Sequence, residues 1–178
     1  VQYATTTVHR RTALVWDRSE KLASFITPNE EVVAGFALRL LGEEWDAGGI
    51  NLSRAIQRAV HIVEGIGRYR IAYIEDPHSP ITQILGSSTA VDTVRFPRTT
   101  LYYRTGDCDD TTALLASLLE AAGIETAILT SPGHVFLAFN TREPAGSAWM
   151  FETGTTAVIE HDGSVWLPIE TTILDQGF

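Results

Sequence analysis

Three segments of the chain place apolar residues three and four positions apart, the spacing of an amphipathic helix. We predict helices over residues 28–41, 52–66 and 109–122, each ended by glycine. The first begins in a capping-box pattern, in which the Thr27 hydroxyl and the Glu30 carboxylate satisfy early backbone N–H groups. The third has the clearest pattern, because four leucines between positions 114 and 119 share one face. The predicted helices therefore all lie before residue 123.

After the third helix the pattern changes to short runs of β-branched and aromatic residues, which are typical of strands. We predict strands over residues 125–129, 134–140, 148–152, 157–159 and 165–169. Asp162 and Gly163, between the last two, favour a tight hairpin turn. Residues 1–16 predict one or two strands, 69–74 a short strand or helix end, and 75–100 a long loop. Helices followed by an antiparallel sheet indicate the α+β class.

Length and charge narrow the class of protein. A chain of 178 residues that is 44% hydrophobic suits one domain with a sizeable core. The formal net charge of −9 and the scattered arginines argue against a nucleic-acid partner. No apolar run approaches the roughly 20 residues of a membrane helix, so we expect no membrane insertion. Because residue 1 is Val, we expect a fragment or processed chain; the compartment stays open, with an extracytoplasmic location favoured.

The single cysteine does most to define the candidate chemistry. One Cys excludes an internal disulfide framework and a Cys-rich metal site. It leaves a buried apolar residue, a surface thiol or a nucleophile. Cys108 lies where a loop enters the strongest predicted helix. The unpaired N–H groups and partial positive charge of a helix start favour a thiolate and can stabilise an oxyanion.

The neighbouring carboxylates act in the opposite direction. Asp107, Asp109 and Asp110 bring three negative charges close to the sulfur, and such charges raise the pKa of a thiol. We expect these residues mainly to cap the helix, with Arg104 neutralising part of their charge. Their spacing matches no zinc site, so we expect neither a metal nor a cofactor. A nucleophilic Cys108 therefore requires a nearby imidazolium.

His134 is the best candidate for that imidazole among five histidines. It opens a strongly apolar predicted strand, although a hydrogen-bonded strand-end histidine would look the same. A third residue must orient the ring. Glu170 and Glu152 both follow apolar, aromatic-rich runs, and Asp175 is a weaker third choice. We expect no catalytic role for the other histidines: His9, His61, His78 and His161.

Taken in order, these motifs resemble bacterial transglutaminase-like cysteine-peptidase domains. The segments that carry the resemblance are FP at 96–97, TL at 100–101, GDCDD at 106–110, GIETA at 123–127, PGHVF at 132–136 and WLPIETT at 166–172. The match implies one domain over 1–178, with a catalytic core from about 69 to 178 and an N-terminal layer over 1–68. It also implies a papain-like core, in which the helix with the cysteine packs on an antiparallel sheet with the histidine and the acid.

The resemblance implies that Cys108, His134 and Glu170 are catalytic. Most relatives carry Asp in a Trp-x-Pro-x-Asp-Pro-Thr context, whereas here Glu170 stands at that place and Thr171 replaces the proline. The implied reaction is acyl transfer on peptide or protein amides through a thioester. Hydrolysis is favoured over cross-linking to an amine. The alternative is a catalytically idle module of this fold that binds a peptide or partner, and the oligomeric state stays open.

Aromatic residues supply further candidates. The backbone N–H of Cys108 would be one oxyanion donor, and Tyr73, Tyr102 and Tyr103 are candidates for the second. We expect Trp149 and Trp166 to be sheet-core residues rather than platforms for a substrate.

Overall fold

Helices make up most of the described residues before residue 122. The computed structural model describes residues 19–42, 52–74, 94–132, 134–152 and 157–174. Its helices are α1 (Glu31–Leu40), α2 (Arg54–Tyr69), α3 (Pro97–Tyr103) and α4 (Cys108–Ala121), with 3₁₀ helices at Ser19–Phe25 and Ala145–Met150. No helix among these residues is long and apolar enough to cross a bilayer.

The strands form two sheets within the described residues. They are β1 (Ala72–Tyr73), β2 (Thr105–Gly106), β3 (Thr126–Ser131), β4 (His134–Pro144), β5 (Ile159–His161) and β6 (Ser164–Ile169). The larger sheet is antiparallel in the order β3–β4–β6–β5, and β1 pairs with β2 in parallel. Helices packed beside an antiparallel sheet confirm the α+β class.

Helix α4 lies at the centre of the core. Its leucines at 114, 115, 118 and 119 are all 0% exposed. They cluster with Leu137 and Phe139 of β4 and with apolar residues of α1 and α2. Because this helix is covered on nearly all sides, its buried polar groups need partners within the protein; the Ser117 hydroxyl, for example, donates to the Ala113 carbonyl at 2.7 Å. The predicted helix is confirmed, and it starts one residue earlier, at Cys108.

Two expectations about helix ends are wrong. Helix α2 continues through Gly65 to Tyr69. Gly65 serves close packing against α1 rather than helix termination, since a Cβ there would lie 2.5 Å from a methyl carbon of Leu40. At the start of α1 the N-cap is Glu30, without a side-chain capping bond. The Thr27 hydroxyl donates to the Glu30 carboxylate at 3.3 Å instead of accepting from the backbone.

The strand predicted over residues 148–152 is also wrong. The chain there forms the 3₁₀ helix Ala145–Met150, because β3 and β6 already occupy both sides of β4. Trp149 is consequently 72% exposed rather than part of the sheet core, while the indole of Trp166 in β6 is half-buried. The end of the predicted loop, from Pro97 onward, belongs to α3.

The hairpin between β5 and β6 is confirmed. Asp162 and Gly163 have φ values of 48° and 75°, the left-handed conformation that a tight hairpin turn requires. The strands predicted over 1–16 and the loop over 75–93 lie outside the described residues.

Truncation of Leu118 to alanine should lower the free energy of unfolding by about 3 kcal/mol, because the side chain is completely buried in α4. Leu38 of α1 is 68% exposed, so Leu38→Ala is the matched control and should change stability by less than about 0.5 kcal/mol. Urea denaturation followed by circular dichroism measures both. Equal losses in the two variants would contradict the central place of α4.

Candidate active site

The register of the sheet brings the start of β4 next to the end of β6. Leu137 lies opposite Ile169 in this antiparallel pair. One residue further, the same register sets Glu170 opposite Phe136, and His134 shares the face of Phe136 because alternate residues point the same way. His134 and Glu170, which are 36 positions apart in the chain, therefore meet where β4 begins and β6 ends.

His134 and Glu170 are in direct contact. The distance from His134 Nε2 to Glu170 Oε2 is 2.7 Å, and the side chains are 30% and 39% exposed. The imidazole also stacks on the Phe136 ring, with centroids 5.7 Å apart and planes 19° apart. Since an ionised carboxylate only accepts hydrogen bonds, Nε2 is the donor and Nδ1 is the nitrogen that can take up a proton.

The electrostatics of Glu170 suit that contact. Burial raises the pKa of its carboxyl, but hydrogen bonds from the Thr172 N–H, the His134 ring and the Thr172 hydroxyl outweigh burial and lower the pKa overall. The Thr172 donors lie 2.9 and 2.8 Å from Oε1. The result is an ionised group that can orient an imidazole and stabilise its cation.

Cys108 is the first residue of α4 and is 6% exposed. The Asp107 side chain caps this helix by accepting from the Asp110 N–H at 3.3 Å. This cap is one of those expected from the sequence.

A cluster of hydroxyl groups joins the first turn of α4 to the His–Glu pair. The Thr171 hydroxyl lies 3.0 Å from the Thr112 hydroxyl, 3.3 Å from that of Thr111 and 3.5 Å from the Cys108 carbonyl. The Thr112 hydroxyl also donates to the Val135 carbonyl at 3.4 Å. Thr171 follows Glu170 and Val135 follows His134. The Cys108 carbonyl therefore contacts the neighbour of Glu170, and Thr112, one turn further along α4, contacts the neighbour of His134.

Arg95 supplies the compensating charge that was expected from Arg104. Its backbone N–H donates to Asp110 Oδ1 at 2.6 Å, and its guanidinium lies 3.5 Å from Oδ2. The guanidinium of Arg104 instead lies over the Tyr69 ring, 4.3 Å from the centroid. The expectation for Arg104 is therefore wrong. Arg95 could not be identified from the sequence, because it lies 15 positions before Asp110 and no helix or strand periodicity relates the two residues.

The acidic residues around Cys108 are close enough to hold a cation, since Asp107, Asp109 and Asp110 offer oxygens within 4.8 Å of one another. Their contacts are nevertheless those of a helix start: Asp107 caps the helix and Asp110 pairs with Arg95. The expected capping role is confirmed for Asp107, whereas the Asp110 carboxylate contacts Arg95 instead.

Backbone packing also shapes the loop before Cys108. A Cβ on Gly106 would lie 2.7 Å from Asp110 Cβ, so only glycine fits without a shift. Gly106 pairs with Tyr73 of β1, which places this tyrosine's strand two residues from the cysteine. Tyr102 and Tyr103 are 80% and 63% exposed on α3 and contact each other edge to face. Of the three candidate donors, Tyr73 is thus the one whose strand pairs with the loop before Cys108.

The other candidates from the sequence lie elsewhere. Glu152 is exposed, beyond the second 3₁₀ helix, and His134 contacts Glu170 instead. His61 lies on α2, and His161 ends β5 beside Asp162 at 3.4 Å. Asp175, His9 and His78 are outside the described residues.

Comparison with known proteins yields no relative. No family model, curated protein or solved structure matches this chain. The function is therefore argued from the chemistry of the site itself.

The lowered pKa of Glu170 predicts a specific acid sensitivity. Its contribution to stability is present above the ordinary value of 4.5 and is lost as pH falls through the folded-state pKa. The difference in unfolding free energy between wild type and Glu170→Gln should therefore shrink as the pH falls below about 4.5. Urea denaturation between pH 3 and pH 7 measures it.

Glu152→Gln is the matched control for this experiment, since that side chain is exposed and makes no hydrogen bond to the described residues. It should leave the pH dependence of unfolding as in the wild type. A wild-type-minus-Glu170→Gln difference that stays constant down to pH 3 would show that the contacts of Glu170 do not favour its ionised form.

Proposed function

We propose that the protein is a transglutaminase-like cysteine hydrolase, which transfers acyl groups from peptide or protein amides through a thioester on Cys108. The observation that carries the proposal is the 2.7 Å contact between His134 and Glu170, next to the helix start that holds the only cysteine of the chain. A buried helix packed on an antiparallel sheet, with Cys on the helix and His and Glu on the sheet, also supports a papain-like core.

The proposed reaction has two steps. The Cys108 thiol loses its proton to His134 Nδ1, and the sulfur attacks the amide carbonyl carbon. His134 then protonates the leaving nitrogen as the C–N bond breaks, leaving an acyl thioester. In the second step His134 takes a proton from water and the water oxygen attacks the thioester carbonyl carbon. The C–S bond then breaks, the carboxylic acid leaves, and His134 returns the proton to the sulfur to regenerate the thiol.

Three charges support the thiolate and the imidazolium. The ionised Glu170 stabilises the cation that forms on His134. Arg95 offsets the charge of Asp110, which would otherwise oppose a thiolate. The first N–H groups of α4 add a partial positive charge, and that of Cys108 supplies one oxyanion donor. These contributions offset the unfavourable effect of the flanking aspartates.

Water is the proposed acyl acceptor. The His134 and Glu170 side chains are about one-third exposed, so water can reach the pair that would activate it. Hydrolysis of the amide is the proposed outcome; the same exposure would also admit an amine, so the acceptor is tested below.

A second candidate is an idle module of the same fold that binds a peptide or partner. The observation that favours it is the burial of Cys108, which is only 6% exposed in this structure. A substrate carbonyl must reach that sulfur for the chemistry to occur. Thiol reactivity separates the two functions.

Iodoacetamide should label Cys108 with an inflection well below the ordinary thiol pKa of about 8.5. His134→Ala should move the inflection back toward 8.5 and reduce the rate at pH 6 by about tenfold or more, because the imidazolium partner is lost. Glu170→Gln should have a smaller effect in the same direction. Mass spectrometry of the labelled protein at each pH measures the rates, and Cys108→Ala is the blank.

His161→Ala is the matched control, since this exposed histidine lies beside Asp162 and pairs with Ser164 at the start of β6, the opposite end of that strand from Glu170. It should label as the wild type does. A wild-type inflection near 8.5 that is unmoved by His134→Ala would overturn the enzyme proposal and leave the binding module.

The acyl acceptor can be tested with casein as the probe substrate. Hydrolysis predicts new peptide termini or released ammonia that depend on Cys108, with little incorporation of a fluorescent primary amine. Incorporation that competes efficiently with water would instead identify a cross-linking enzyme. Cys108→Ala supplies the background for both measurements.

A further inference from the structure

The two carboxylate oxygens of Glu170 have separate partners. Oε2 contacts His134 Nε2 at 2.7 Å. Oε1 accepts two hydrogen bonds from the same residue, the Thr172 N–H at 2.9 Å and the Thr172 hydroxyl at 2.8 Å. One carboxylate oxygen therefore contacts His134, and the other accepts hydrogen bonds from Thr172.

This division matters because of the length of a glutamate side chain. Glutamate has three rotatable side-chain bonds, and holding them in one conformation costs entropy. A single contact to His134 would allow the carboxylate to turn away. Two bonds on Oε1 fix the plane of the group and leave Oε2 directed at the imidazole.

Thr172 is itself held by its neighbours. Thr171 is 1% exposed and bonds to the first turn of α4, and Leu174 is 4% exposed in the main core. The backbone between these two anchors cannot move far without breaking buried contacts. The donors of Thr172 are thus preorganised by the same packing that positions the helix start.

We propose that Thr172 is a positioning residue that clamps Glu170 so that its carboxylate faces His134. This inference rests on the proposed function for its catalytic consequence, whereas the clamp itself rests on the contacts alone. Thr172 acts through Glu170 and touches neither the thiol nor the substrate. Its hydroxyl would tune how well Glu170 stabilises the imidazolium.

The test compares Thr172→Val, which removes the hydroxyl, with Thr172→Ser, which keeps it. The first readout is the titration of the Glu170 carboxyl carbon by ¹³C NMR, assigned by its loss in Glu170→Gln. The second is the iodoacetamide labelling rate of Cys108 against pH. Circular dichroism checks that each variant is folded, and Thr172→Ala removes the same hydroxyl with less bulk if Thr172→Val does not fold.

Thr172→Val should move the Glu170 titration to higher pH, because a hydrogen bond to the ionised form is lost. It should also lower the labelling rate at pH 6 by about three- to tenfold, with recovery at pH 9, where the thiol ionises unaided. Thr172→Ser should restore both readouts. A purely structural role would lower stability without moving either pH dependence.

The outcomes separate the clamp from the enzyme. An unchanged Glu170 titration in a folded Thr172→Val variant overturns the clamp, whatever the thiol reactivity. A shifted titration together with an ordinary, His134-independent thiol supports the clamp and overturns the proposed function. Shifts in both readouts that Thr172→Ser reverses support both.

Discussion

The candidate site depends on the fastening of one helix start to the end of one strand. The buried hydroxyl of Thr171 lies among polar groups of the first turn of α4, including the Thr112 hydroxyl and the Cys108 carbonyl. In a dry environment each of these groups needs a partner, because a buried polar atom without one costs about 1–3 kcal/mol. The arrangement is therefore specific as well as stable. It holds the cysteine, the histidine and the glutamate within one small region.

This fastening also gives a physical reason for a threonine at position 171. Proline has no hydroxyl and would leave the polar groups of Thr111 and Thr112 with fewer partners. The Thr171 side chain forms buried hydrogen bonds between the end of β6 and the start of α4. The next residue, Thr172, bonds to Glu170 instead. In the Glu-Thr-Thr sequence, Thr171 thus connects the strand end to α4, and Thr172 orients the Glu170 carboxylate.

Particular residues show which features of the fold and the site could be predicted from the sequence. The four leucines of α4 and the Asp-Gly turn of the hairpin were readable because each depends on local spacing or local backbone conformation. His134 and Glu170 were identified as a pair through motifs, and they are in contact. Arg95 was missed because its contact with Asp110 arises from folding and not from spacing. Trp149 was misplaced because its apolar run looks like a strand but has no place beside β4.

The sequence alone determined the α+β class, the central helix and the presence of a single thiol at the start of that helix, since these follow from periodicity and composition. Tertiary structure decided the partners. It selected Glu170 rather than Glu152 as the contact of His134, and Arg95 rather than Arg104 as the partner of Asp110. The physical reason is that periodicity reports which residues are buried, whereas a hydrogen bond requires two atoms to meet within about 3 Å. Only strand register and the packing of α4 on the sheet determine that distance.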